Sequence, residues 1–248
     1  MTLFSIEKAR AAERDGDRVS IGGFIRKHPE TITAVLLVVI CVVVAILNPD
    51  FLQPSSLIDI GRASVVTGLF ALGVFVILAA GGIDVSFTAI AALTMYSITL
   101  LTTRYAPGLP MILVLVMAVG GGMLLGMFNG LLVYTFSVPA MIVTIGTQYL
   151  FRGILLAFVG TVWIMALPEQ MLAFGRAPML QFANSNGAVV TLPLYVLVLP
   201  AAAVLTWWIL NRTLMGRAIF AMGGRARVAE RLGSHLRTIH LFLFGFAG

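Results

Sequence analysis

Residues 57–86 read LIDIGRASVVTGLFALGVFVILAAGGIDVS. After Arg62 the stretch runs uncharged as far as Asp84, close to the roughly 20 apolar residues that one helical crossing of a bilayer needs. It then breaks at two glycines, places one aspartate and one serine, and becomes apolar again. A span, a glycine-interrupted break and a second span follow from this segment alone. The rest of the chain repeats the pattern. Of its 248 residues 60% are apolar and 10% charged, against roughly 25% charged in an ordinary soluble domain, so a water-soluble globule is excluded. Sixteen Lys and Arg against ten Asp and Glu give +6, but the basic residues cluster at the start and in one late loop. No basic face with interleaved aromatics points to nucleic acid.

Apolar runs bounded by Pro, Gly and charge predict six spans, at 31–47, 57–80, 89–103, 111–134, 139–160 and 189–210. Ser55 or Ser56 is expected to cap the second. Pro139 opens the fifth in a position that suits a first helical turn. Residues 161–188 read as a longer, loosely apolar connection. Trp163 marks the interface of span five, and Trp207 with Trp208 that of span six. An even number of spans leaves both flanks on one side. Twelve basic residues lie in the start and the late loop, and only Arg62, Arg104 and Arg176 lie opposite. The flanks are therefore expected in the cytoplasm. Cys41 is the single cysteine, so a disulfide framework and a thiolate metal cluster are excluded.

Four groups of residues are candidates for chemistry. Asp84 and Ser86 sit in the break between spans two and three. Broken helices of this kind line transporter sites, where irregular backbone finds polar partners; the plainer reading is a tight turn in which either residue caps span three. Thr144, Gln148 and Arg152, four apart, share one helical face, which suits a neutral polyol with Tyr149 or Phe151 as an aromatic surface; the alternative is an arginine snorkelling outward. Gly122, Gly126 and Gly130 form consecutive small-xxx-small steps with Asn129 beside them. They read as a helix-packing seam, with Asn129 as interhelical glue or as a substrate contact. The loop from Gly216 to Gly233 has room for a short helix carrying Val228 and Leu232 on one face, able to dock on a cytosolic partner or to lie against anionic lipid.

No phosphate-binding G-x-x-x-x-G-K-[ST] occurs, and no H-E-x-x-H, G-x-S-x-G or second intramembrane aspartate. Catalytic residues, metal ligands and cofactors are therefore not expected, and ATP cannot be bound in the P-loop manner. The chain also lacks the series of intramembrane carboxylates that a proton relay needs.

Taken in order, Asn48-Pro-Asp-Phe51, Gly81-Gly-Ile-Asp-Val-Ser86, Asn129-Gly-Leu-Leu, Val138-Pro-Ala-Met-Ile-Val-Thr-Ile-Gly146-Thr147, Arg152-Gly153 and Thr213-Leu-Met-Gly-Arg-Ala-Ile-Phe-Ala-Met-Gly-Gly224 resemble the ribose-type permeases of bacterial ATP-binding cassette (ABC) importers. The resemblance covers nearly everything after about residue 30. Branched-chain amino-acid permeases are related, and Gly-Gly-Ile-Asp-Val-Ser points to the sugar branch. Thr88 and Arg225 depart from the family's usual glycine and asparagine. The resemblance implies an inner-membrane subunit that works as a homo- or heterodimer of permeases, receives a monosaccharide or related polyol from a periplasmic sugar-binding protein, and is driven by a cytosolic ABC ATPase subunit. It also implies that Gly216, Arg217, Gly223, Gly224, Ala229, Glu230 and Gly233 belong to the ATPase-coupling segment, and that Asp84 and Ser86 belong to the family's characteristic break.

The expected architecture is an all-α polytopic membrane protein: a cytoplasmic tail at 1–30, six transmembrane helices within 31–210, a coupling loop at 211–237 and the start of a seventh span at 238–248. The last apolar run stops after ten residues, so the sequence reads as the first part of a longer permease fold, C-terminally truncated. The substrate pathway is expected at Asp84, Ser86, Asn129, Thr144, Gln148 and Arg152. An ion-coupled carrier or channel and a non-transporting scaffold are the rival functions.

Overall fold

The computed structural model describes residues 30–160, 164–165, 167–183, 189–224 and 235–248. Two compact units are distinguished, residues 1–57 and 58–248. In the first, α1 (Glu30–Leu47) is apolar and exposed on almost every side. A helix apolar all round is stable only where its surroundings are apolar too, which in this sequence means lipid. Asn48 stops it, accepting a hydrogen bond from the Asp50 amide (3.1 Å), and a 3-10 turn, Pro49–Leu52, follows.

The second unit is a helical bundle. It holds most of α2 (Pro54–Ala79), which begins in the first unit, together with α3 (Phe87–Arg104), α4 (Met111–Phe136), α5 (Ala140–Ile154), α6 (Glu169–Arg176), α7 (Val198–Arg212), α8 (Leu214–Gly224) and α9 (Leu236–Ala247). Among the described residues four segments are long and apolar enough to cross a membrane: Pro54–Ala79, Met111–Phe136, Ala140–Val159 and Leu194–Arg212. The chain is thus a multi-pass membrane protein. The predicted first span is the shorter apolar helix Thr31–Leu47. The predicted third coincides with α3, whose apolar run is diluted by Thr88, Thr94, Ser97, Thr99, Thr102 and Thr103.

Two expectations are corrected. The fold is not purely helical: β1 (Pro178–Ala183) and β2 (Val189–Pro193) pair antiparallel, with Leu180 opposite Leu192 and Phe182 opposite Val190. The β-branched run at 189–191 therefore forms a strand, and the helix expected from residue 189 starts only after it, through a 3-10 turn at Leu194–Leu197. Second, α2 starts at Pro54, a residue suited to a first turn, so Ser55 and Ser56 lie inside the helix; the Ser56 hydroxyl donates to the Asp50 carbonyl instead (2.7 Å). The expected fifth span, 139–160, is matched by Ala140–Val159, in which α5 passes into a π-helical turn, Leu155–Val159, closed by the Gly160 amide on the Leu155 carbonyl (3.0 Å).

The glycine steps of α4 do what their spacing predicts. α9 runs antiparallel along them so closely that a Cβ on Gly122, Gly126 or Gly130 would collide with the backbone carbonyl of Gly248, Phe244 or His240 respectively. In lipid, apolar side chains gain nothing by leaving one apolar medium for another, so close backbone approach is what holds such a pair together. The core beside it gathers Val76 and Ile77 of α2, Val133 of α4, Leu210 of α7, Ile219 of α8, and Ile239, Leu243 and Phe244 of α9. A second cluster joins Ala89, Ile90 and Leu93 of α3 to Phe151 of α5, whose ring meets Phe128 of α4 at 6.3 Å.

At one end of this unit Arg62 bridges Asp59 (3.0 Å) and the Thr191 carbonyl of β2. It also shares a cavity of about 330 Å³ with Arg176. Gln170 of α6 donates to the Pro107 carbonyl (3.0 Å), just beyond Arg104. At the end of α7, Arg212 lies over the Trp207 ring (5.7 Å).

Gly126→Val in α4 is expected to cost about 3 kcal/mol of bundle stability, measured by denaturant titration in detergent, whereas Gly120→Ala, whose Cβ would meet nothing within 4 Å, is expected to be neutral or slightly stabilising.

Candidate functional site

The break between α2 and α3 has to satisfy its own backbone in an apolar setting. α2 closes with the Gly81 amide on the Leu78 carbonyl (2.9 Å) and the Gly82 amide on the Ile77 carbonyl (3.0 Å), and Gly81 takes φ +77, a left-handed value that glycine adopts without strain. Beyond it Asp84 turns its carboxylate back on the chain: Oδ1 accepts from the Ser86 amide (2.7 Å) and from the Ser86 hydroxyl (2.6 Å). Such an Asx turn holds two residues in a fixed bend. The expected cap is therefore not formed. Ser86 is the N-cap of α3 by position, but its hydroxyl reaches no helix amide, because the carboxylate takes it.

The Ser86 hydroxyl gives its proton to Asp84 and takes one from Asn129 Nδ2 of α4 (2.7 Å). Asp84, Ser86 and Asn129 are buried, with Ser86 and Asn129 wholly inaccessible. From α5, the Thr144 hydroxyl accepts from the Val85 amide (3.3 Å), with the carbonyls of Ile83 (3.4 Å) and Met141 (3.3 Å) within reach of its own proton. Four of the six expected pathway residues, Asp84, Ser86, Asn129 and Thr144, thus form one buried polar cluster that ties α3, α4 and α5 to the break. Among the described residues no basic side chain pairs with Asp84, and Asn129 Oδ1 is buried without a hydrogen-bond donor.

The other two are not gathered there. Gln148 is half-buried and Arg152 exposed. The buried face of α5 is Thr144, Thr147 and Phe151, spaced three and four apart, and not the strict four-residue row of Thr144, Gln148 and Arg152. That row drifts around the helix by about 40° at each step, which carries Arg152 to the surface. Phe151 is a core residue against Phe128, and Tyr149 is 69% exposed. The alternating three- and four-residue spacing of Thr144, Thr147 and Phe151 is the signal in the sequence that marks the inward face.

Of the residues expected in the coupling segment, Gly216, Arg217, Gly223 and Gly224 lie on α8, and Ala229, Glu230 and Gly233 lie outside the described residues, as do Arg225, the predicted helix with Val228 and Leu232, and Trp163. α8 is a seated helix rather than a free loop. Thr213 starts it, its hydroxyl accepting from the Gly216 amide (3.1 Å) and donating to the Ile209 carbonyl of α7 (2.6 Å). Gly216 lies so close to the Leu210 carbonyl that a Cβ would collide with it. Ile219 is fully buried, while Arg217 is exposed.

Residues 56–248, covering the buried cluster, the α4 seam and α8, match the profile of the family described as branched-chain amino acid transport system / permease component. The chain belongs to this family. Its members are transport components, and the chain is a permease component and not an enzyme. Similar proteins include the ribose import permease protein RbsC of Bacillus subtilis (strain 168), 28% identical over 243 residues, which are 97% of this chain and 70% of that protein. RbsC of Haemophilus influenzae is 28% identical over 228 residues, 92% of this chain and 67% of that protein. The autoinducer 2 import system permease protein LsrC of Escherichia coli (strain K12 / DH10B) is 30% identical over 227 residues, 91% of this chain and 62% of that protein. The chain thus spans about two thirds of the length of the curated relatives it matches. No solved structure matches it.

In a double-mutant cycle, Ser86→Ala and Asn129→Ala are expected to show a coupling energy of about 1 kcal/mol in detergent unfolding, while Gln148→Ala with Ser86→Ala is expected to be additive.

Proposed function

We propose that the chain is the membrane-spanning permease subunit of a bacterial ABC importer that carries a monosaccharide or a related hydroxylated compound across the inner membrane. The observation that carries this is the buried Asp84-Ser86-Asn129-Thr144 cluster at a helix break, in a chain whose relatives are named for ribose and autoinducer 2 import. Such a cluster offers acceptors and donors at short spacing inside an apolar bundle, which is what the hydroxyls of a sugar exchange for water. Asn129 Oδ1, buried without a donor, is where a substrate O–H would find an acceptor. Gln148 and Arg152 extend the proposed pathway along α5 from half-buried to exposed positions.

Six membrane spans, with α1 and α3 added to the four longer segments, followed by α9 as the start of a seventh, give the proposed topology. Residues 1–30 and 211–237 then lie in the cytoplasm. Twelve Lys and Arg residues in those two segments, against Arg62, Arg104 and Arg176 on the other side, support it. α8 and the segment through Gly233 form the proposed contact with a cytosolic ATPase, and a periplasmic binding protein and a second permease subunit complete the assembly. The energy source is then the partner ATPase, since the chain has no nucleotide-binding motif of its own.

The test is uptake by the assembled complex in proteoliposomes, with labelled ribose and autoinducer 2 offered by their binding proteins. Uptake of one of them is expected only when ATP is enclosed with the ATPase, and Asn129→Ala is expected to lower it at least tenfold, about 1.4 kcal/mol, with the complex still assembled. Uptake without nucleotide would overturn the reading in favour of a carrier or channel.

A further inference from the structure

At Gly81 and Gly223 the turn that ends α2 meets α8 backbone to backbone. A Cβ on Gly81 would lie 3.3 Å from Gly223 Cα and 3.4 Å from its carbonyl oxygen. A Cβ on Gly223 would collide with the Ala79 carbonyl oxygen and lie 3.3 Å from the Ala80 carbonyl carbon. Both residues therefore have to be glycine, and Gly81 for a second reason, its φ of +77. The neighbouring Gly224 has nothing within 4 Å of the same position, so the requirement belongs to one residue and not to the glycine pair as such.

We infer that Gly223 is a positioning residue for transport: it holds the break at Gly81, so that a displacement of α8 is carried through residues 81–86 into the buried Asp84-Ser86-Asn129 cluster. This rests on the permease reading above. The segment is six residues long and pinned at both ends. At its far end Val85 is held by Thr144, and Ser86 by Asp84 and Asn129. At its near end neither Gly81 nor Gly223 has a side chain whose rotation could absorb a shift of α8. α8 is seated firmly in its surroundings, with Ile219 and Met222 embedded among Ile77, Ala80, Leu243 and Phe244. Packed interfaces answer a small displacement by switching arrangement rather than by stretching. Space for another arrangement exists beside the contact, in a cavity of about 270 Å³ bordered by Gly81, Gly82, Ala140, Met222, Gly223 and His240.

The experiment is hydrogen exchange, followed by mass spectrometry, on the full chain in nanodiscs with its partner ATPase. Gly223→Ala is expected to raise exchange of the Val85 and Ser86 amides about tenfold or more relative to the unaltered chain, and to lower solute moved per ATP hydrolysed by a similar factor while hydrolysis continues. Gly224→Ala is expected to leave that exchange unchanged. In the unaltered complex, trapping the ATPase in its nucleotide-bound state is expected to alter exchange in 214–224 and in 81–86 together. Exchange at 81–86 that stays constant while 214–224 responds overturns the inference, and so does an equal effect of Gly224→Ala. The comparison of Gly223→Ala with the unaltered chain needs neither solute nor nucleotide. An absence of uptake would therefore count against the permease reading, while the exchange data would still decide the linkage.

Discussion

A backbone that leaves helical geometry among apolar surroundings has to find hydrogen-bond partners from side chains, since no water stands ready to supply them. The break between α2 and α3 meets this constraint with one carboxylate, two hydroxyls and one amide. Asp84 binds the Ser86 amide, Thr144 binds the Val85 amide, and Ser86 passes the network on to Asn129. The arrangement that keeps the turn stable is also the arrangement that brings α3, α4 and α5 to one polar point. Structure and function are therefore hard to separate at these residues. Removing Asp84 removes a turn, and any group that enters the cluster has to compete with bonds that hold the turn.

The bundle around that point is held mainly by shape. α4 and α9 meet where side chains are missing, and α8 meets α2 in the same manner. Such contacts have little tolerance. A methyl group is enough to part them, and no rotamer relieves the strain. Elsewhere the surface is generous: most of the large apolar residues of α1 and α4 are exposed, where lipid accepts any apolar shape.

Much of this fold is legible in the order of the residues. Long uncharged runs mark membrane helices because charge is expensive in lipid, and the repeat of Gly122, Gly126 and Gly130 marks a seam because a four-residue step nearly returns to the same helical face. The Asp84 break is legible as an interruption, while its partners are not: Asn129 and Thr144 lie 45 and 60 residues further along the chain than Asp84, and nothing local joins them. The row of Thr144, Gln148 and Arg152 does not stay with the buried face, because steps of four drift and a strict row passes from a buried position to an exposed one. The strand at 189–193 is hidden because a five-residue stretch is too short to show a period that distinguishes strand from helix. Its identity is set by a partner segment at 178–183.

The seam on α4 has a consequence for biogenesis. A nascent chain presents Gly130 to the translocon long before His240, its counterpart on α9, has been synthesised. During that interval a narrow groove of bare peptide runs down one side of α4, attractive to any stray helix with small residues of its own. Partly made copies on one polysome carry the same groove, so the order of synthesis itself becomes a hazard that insertion has to outrun or shield.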